Sequence, residues 1–386
     1  MHVLARVTGV LCLTTALVAC GTENDTDAPE QPGASEAPQG LPSTKAEAAD
    51  STINGKADWS VDPCDWWGWY GDGSCDWYCW DHDTDCDAEP LFEPPADIKA
   101  THYPIVLAHG FDASPSNRWG FYLVPEALAA DGHAVYIAEV PPYHSIETRA
   151  AHLAPYIDAV LEETGAEKVN LIAHSMGGLD GRYVISALGY GDRVATLTTI
   201  SSPHQGSAVA DFALKVLPDV FDRKLNALAA LWGRTYSEVS EDADLRAALY
   251  AISTEGVAAF NAEHADDDRV MYQSWAGVSS VLGLPNTRRE AEACGDLDLR
   301  HKGTSDRMHV TLAPLAGITA GGFDLTPNDG MVTVESAKWG AFRGCIPADH
   351  LDEVGQVKNE GADADTGFDA VRFYRTMAAE LAEAGY

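Results

Sequence analysis

The sequence predicts an α/β fold: a mostly parallel sheet flanked by helices, with a helical insertion over one end. Three observations predict it. Continuous apolar runs of strand length recur between residues 101 and 278, as strands buried on both faces read. Stretches with apolar residues at helical spacing separate them, and strand–helix–strand succession makes a parallel sheet covered on both sides. The chain has 386 residues, 46 % of them apolar, enough for one large domain with smaller parts attached.

The first element is a targeting segment over residues 1–19. Arg6 precedes "VTGVLCLTTALVA", too short to span a bilayer as a stable helix and long enough for a signal h-region. The run closes with Leu17-Val18-Ala19-Cys20, which resembles the bacterial lipobox. The resemblance implies that Cys20 is lipidated and becomes the mature N-terminus. Gly21 then points to the outer membrane of a two-membrane cell, with ordinary secretion as the alternative. Residues 20–60 are rich in Pro, Ala, Ser, Thr, Glu and Asp, and predict a disordered acidic tether. The formal net charge of −34 disfavours nucleic acid as a partner and gives no overall attraction to anionic lipid.

Residues 61–90 place Cys64, Cys75, Cys79 and Cys86 among many aromatics and aspartates. So short a unit has no adequate core, and two internal disulfides are expected to hold it. "GDGSCDWYC" and "DTDC" resemble Notch-type repeats, where cysteines and aspartates surround calcium. A disulfide-held unit with solvated aspartates accounts for the same residues.

The main α/β part is expected from 101 to 386. "YPIVLAHG", "AVYIAEV", "KVNLIAHS" and "RVATLTTISS" read as buried parallel strands. "TRAAHLAPYIDAVLEETG" repeats Leu153, Ile157, Val160 and Leu161 at helical spacing. Residues 206–265 break the rhythm with helical runs and suit a lid over the carboxyl end of the sheet. "VMYQSWAGV" returns to strand, and an amphipathic helix closes the chain near 366–384.

The chemistry begins where strand "VNLIA" runs into His174-Ser175-Met176 and a glycine-rich helix. A nucleophile on a sharp strand-to-helix turn demands small neighbours, and Ala173-His174-Ser175-Met176-Gly177 supplies them, with alanine at the first glycine position of G-x-S-x-G. Serine needs a histidine to take its proton and a carboxylate to hold that histidine. Asp329, in "PNDG", and His350, in "ADHLDEVGQ", stand in the right order, with Asp324 and His309 as rivals. Met176 and Phe111 are placed to offer two backbone N–H groups to an oxyanion.

From 101 to 384 the chain resembles family I bacterial triacylglycerol lipases of the α/β-hydrolase fold. The resemblance rests on "YPIVLAHGF", "AHSMGGLDGRYV", "VATLTTISSPHQGS", "YQSWAGV", "NDGMV" and "HLDEVGQV", in that order. It implies Ser175 as nucleophile, Asp329 as acid and His350 as base, with no catalytic cofactor. It also implies a structural calcium beside the histidine, held by Asp352, Gln356, a carbonyl of Glu360 and a carboxylate for which Asp306 stands nearest. Cys294 and Cys345 remain, flank the acid, and are expected to pair. A lipid or ester substrate, membrane attachment through Cys20 and a dedicated foldase complete the expected partners. A short-chain esterase, a polyester depolymerase and a surface binding protein with an inactive hydrolase domain are the alternatives.

Overall fold

The computed structural model describes residues 38, 40–42, 48, 51, 58–70, 79–81, 83, 90–111, 120–216, 243–285, 287–295, 305–322, 325–356, 363 and 365–386. The expected signal peptide 1–19, Cys20, Cys75, Cys86, Asp324, Glu360 and the centre of the expected insertion, 217–242, lie outside them. In chain order the elements are α1 (Pro63–Trp67), β1 (Ile105–Ala108), α2 (Val124–Ala130), β2 (Val135–Ala138), α3 (Ile146–Thr164), β3 (Val169–His174), α4 (Gly177–Ser186) and β4 (Val194–Ile200). Then follow α5 (Ala208–Val216), α6 (Leu245–Ala251), α7 (Thr254–Glu263), β5 (Met271–Gly277), β6 (Ser279–Ser280) and α8 (Thr287–Cys294). The chain ends with β7 (Asp306–Arg307), α9 (Ala313–Thr319), α10 (Val334–Ala337), β8 (Ala341–Ile346) and α11 (Ala370–Glu383).

Six strands form one sheet in the order β2-β1-β3-β4-β5-β8, and every pairing is parallel. Period-two alternation sends side chains to two covered faces. On one face Ile105, Leu107, Ile172, Ile200 and Trp275 meet Phe373, Tyr374, Met377 and Leu381 of α11. On the other, Val106, Ala108, Leu171 and Leu197 meet Leu153 and Ile157 of α3 and Val184 of α4. Caps set the helix limits. The Ser145 hydroxyl accepts the Thr148 N–H at the start of α3, and Gly165, at φ 69°, ends it. The closing helix begins at Ala370, later than 366, because Asp369 caps it and accepts the Arg372 N–H.

β8 was not foreseen, since "AFRGCI" lies at the sheet edge and its first residues are exposed. Two boundaries also move. The large α/β unit starts before 101: the Leu91 N–H donates to the Gly367 carbonyl, and Phe92 packs edge-on against Trp275 and Phe373. The small module draws on the expected tether, because Ala48 is buried beside Cys64 and the Trp67 indole donates to the Pro42 carbonyl. Apolar aromatic surface recruits whatever chain is near it. Two disulfides join described residues, Cys64–Cys79 and Cys294–Cys345. Among the described residues no helix is long and apolar enough to cross a membrane.

Two features place the site. The order reverses at β1, whose successor β2 lies on one side while β3 lies on the other, so the loops after β1 and β3 diverge and leave a crevice at the carboxyl end. The insertion lies over it: Ala210, Ala213, Leu249, Val257 and Phe260 pack with Met176 and Leu179.

Candidate active site

Ser175 stands between β3 and α4 with φ 54°, a left-handed backbone that a non-glycine residue adopts only under constraint. Its N–H donates to the Ile200 carbonyl. The glycines around it are steric necessities. A Cβ on Gly110 would stand 2.6 Å from the Ser175 Cβ, one on Gly177 2.6 Å from the Ala108 carbonyl oxygen, and one on Gly178 2.1 Å from the Ser202 Oγ. Small residues therefore let the nucleophile, β1 and β4 meet at one point.

His350 follows β8 and brings Nε2 to 2.9 Å from the Ser175 Oγ and Nδ1 to 2.7 Å from the Asp329 Oδ2. The other Asp329 oxygen accepts N–H groups of Met331 and Val332 at 2.8 and 2.7 Å. This tight turn, with Gly330 at φ 99°, fixes which oxygen faces the imidazole. The His350 N–H also donates to the Asp329 carbonyl. With Nδ1 facing the carboxylate, Nε2 is free to accept the serine proton. The rival His309 instead gives its backbone N–H to Asp349, and its Nδ1 accepts from the Thr311 N–H and hydroxyl.

The loop after β1 is held from below by Arg149. This fully buried guanidinium donates to the carbonyls of His109 at 2.9 Å, Gly110 at 3.2 Å and Pro141 at 3.0 Å, and its Nε pairs with Asp180 at 2.8 Å. Burial pushes Asp180 up to about 6, and Arg149 holds it from rising further. Burial, aided by Arg149, lowers His109 to about 3, so the ring is neutral. Its Nε2 accepts the Val140 N–H, which leaves Nδ1 to donate to the Gly110 carbonyl. Phe111 leaves this pinned segment with its ring edge-on to Tyr143, and Met176, fully buried, opens α4. Backbone donors at these two places can meet negative charge developing above Ser175.

Two acids near the triad escaped the sequence reading. Glu353 is fully buried, accepts the Ser201 hydroxyl at 2.5 Å and faces the His174 Nε2 at 3.1 Å. Burial and the Asp329 charge push it well above the usual carboxylate range. Gly277 makes room for it: a Cβ there would lie 1.9 Å from the Glu353 Oε1. The second is Asp349. Ligand atoms of Asp306, Asp349 and Asp352, all buried, lie within 4.8 Å of one another. Of the expected calcium ligands, Asp306 and Asp352 thus converge, with Asp349 as an unforeseen third. The Gln356 side chain donates through Nε2 to the Gly120 carbonyl at 3.5 Å. Three hard carboxylates in one place form a donor set suited to calcium.

A model of the α/β-hydrolase fold family matches residues 103–246. The chain is similar to a triacylglycerol lipase of Vibrio cholerae, 32 % identical over 308 residues, covering 74 % of this chain and 89 % of that protein. It is similar to a triacylglycerol lipase of Pseudomonas fragi, 30 % identical over 308 residues, covering 74 % of this chain and 98 % of that protein. Among solved structures, a metagenomic carboxyl esterase aligns with TM-score 0.55 at 17 % identity, over 81 % of this chain and 84 % of that one, a likeness of fold.

Proposed function

The chain belongs to the triacylglycerol lipase family of the α/β-hydrolase fold, and from that membership we propose that it hydrolyses triacylglycerols with Ser175, His350 and Asp329. It is an ester-cleaving serine hydrolase. The observation that carries the assignment of roles is the unbroken relay of 2.9 and 2.7 Å contacts from Ser175 through His350 to Asp329. Ser175 Oγ attacks the ester carbonyl while His350 Nε2 takes its proton. The oxyanion accepts from the Phe111 and Met176 N–H groups. The alcohol leaves with the proton from His350, giving an acyl-serine. Water, deprotonated by His350, then releases the fatty acid and restores the serine. Asp329 stabilises the imidazolium throughout.

Calcium belongs to the same reading as a structural ion. Asp306, Asp349 and Asp352 would hold it, with carbonyls from Gln356 and Glu360, and it would brace the loop that carries His350. The lipobox-like Cys20 supports an exported protein anchored in the outer membrane by lipid, and the lipase resemblance supports a foldase partner.

The test is hydrolysis of p-nitrophenyl esters from acetate to palmitate by wild type and Ser175→Ala. Rates rising toward long chains, with the variant down by ~10⁴-fold or more, are expected. Activity confined to short chains would replace the lipase by an esterase, and an active variant would remove Ser175 from the mechanism.

A further inference from the structure

The triad acid is held by more than its own turn. Two peptide groups aim their N–H ends at Asp329 Oδ1, Gly330–Met331 at 2.8 Å and Met331–Val332 at 2.7 Å. At the carbonyl end of each, a hydroxyl from another element donates. The Thr319 Oγ1 donates to the Gly330 carbonyl at 2.7 Å, and the Ser207 Oγ to the Met331 carbonyl at 2.8 Å. Two chains of one form, hydroxyl to peptide group to carboxylate, thus converge on a single oxygen. The other oxygen, Oδ2, faces His350 Nδ1. The preceding peptide group is pinned at both ends as well: the Gly330 N–H donates to the Asn328 Oδ1, and the Asp329 carbonyl accepts the His350 N–H.

The surroundings fix both hydroxyls. Thr319 is the last residue of α9, and a Cβ on Gly330 would lie 2.9 Å from the Cβ of Leu312, just before that helix. The second contact of the Thr319 hydroxyl, to the Leu315 carbonyl, is longer at 3.2 Å. Ser207 directly precedes α5; its N–H donates to the Ile252 carbonyl and its carbonyl accepts the Asp211 N–H. Next to it, the Ser336 hydroxyl of α10 donates to the Gly206 carbonyl at 2.7 Å and accepts the Gln205 N–H at 3.1 Å. The loop after β4 is thereby joined to the segment that carries the acid. Ser207 and Thr319 are both buried.

A buried carbonyl needs a donor, and that need alone would account for one hydroxyl anywhere. Here both fall on the two peptide groups that grip the acid. A donor at a peptide oxygen polarises the group and strengthens its N–H, most of all where water is excluded. Because the peptide is planar, a fixed carbonyl also stops the N–H from swinging off the carboxylate.

We propose that Ser207 and Thr319 are positioning residues for the hydrolysis, acting through the Met331 and Val332 N–H groups to hold Asp329 with Oδ2 toward the imidazole. This deepens the triad reading and rests on it.

Steady-state hydrolysis of p-nitrophenyl butyrate by the full-length protein tests it. Ser207→Ala and Thr319→Val remove the hydroxyls; Ser207→Thr and Thr319→Ser keep them. Each removal is expected to lower kcat roughly 10-fold with KM little changed, and each conservative variant to regain most of the loss. The deciding comparison repeats the removals in Asp329→Asn, which by itself should lose ~10⁴-fold. There the removals are expected to cost less than ~2-fold, since the carboxylate that they aim is gone. Equal losses in both backgrounds, a loss confined to KM, or wild-type kcat in folded removal variants would each overturn the proposal. Where Ser207→Ala does not fold, Ser207→Cys carries the same comparison, its thiol filling the place and donating weakly. No hydrolysis by wild type, or undiminished hydrolysis by Ser175→Ala, would instead remove the triad reading itself.

Discussion

At the scale of single residues the site is organised by groups that never touch substrate. Arg149 answers two carbonyls of the loop that carries Phe111 and the Pro141 carbonyl after β2, and is itself neutralised by Asp180. Methionine at 149 keeps the stem and removes every donor. Arg149→Met should lower kcat by ~10²-fold with KM little changed, since the backbone donors lose their aim. A KM effect with kcat intact would make Arg149 a part of ordinary substrate binding. His204 is a different case, buried and neutral, stacked on Trp339 and bonded to Thr199. Burial and Arg182 hold its pKa well below 6.5. The unfolded chain takes up that proton near 6.5 and the native state does not, so this contribution to stability is present above 6.5 and is lost as pH falls. The gap in unfolding free energy between wild type and His204→Gln should therefore narrow by up to ~1.4 kcal/mol per pH unit below about 6.5. Urea melts at several pH values read it directly, and a gap independent of pH would contradict it.

At the scale of elements, the segment between α8 and β8 contains most of what the His350 loop depends on. It holds Asp306 of β7 and Asp329, and the Cys294–Cys345 bridge closes it over 51 positions. On the chain-entropy account such a cross-link stabilises by about 4 kcal/mol. The Cys294→Ala/Cys345→Ala double variant should lose about that much in denaturant melts. A loss under ~1 kcal/mol would mean that the unfolded segment is already held close by other contacts. Val278, Val334 and Ala337 pack with the bridge, so some of its effect is burial rather than closure.

At the scale of the whole molecule, the acid cluster joins pieces far apart in sequence, Asp306 from β7 and Asp349 with Asp352 from the triad loop. Three buried carboxylates repel one another unless a cation or protons intervene. Calcium bound only by the folded state would add about 2.7 kcal/mol at a concentration 100 times its Kd. Chelation should therefore lower the melting temperature and the activity together, and calcium should restore both. Unchanged melting after exhaustive chelation would dismiss the ion. The net charge of −34 acts on the same scale in the other direction, through self-repulsion, and makes a divalent cation at the catalytic end more favourable.

What the sequence determined by itself is whatever local sterics demand. Ser175 was legible because its turn tolerates only small neighbours, and the strands because burial on both faces leaves unbroken apolar runs. Asp329 and His350 could be ordered but not separated from Asp324 and His309 by spacing alone; resemblance pointed to the first pair. Arg149 left a signal that went unread: it shares the helical face of Leu153, Ile157 and Val160, where a cation is buried only if something answers it. Glu353, Asp349 and the convergence of Asp349 with Asp306 left none. Their meaning lies in contacts across dozens to hundreds of residues, such as Glu353 with Ser201 and His174, and no pattern local to the chain encodes such a contact. The tertiary structure alone decided these, because a charge's role depends on what surrounds it in space.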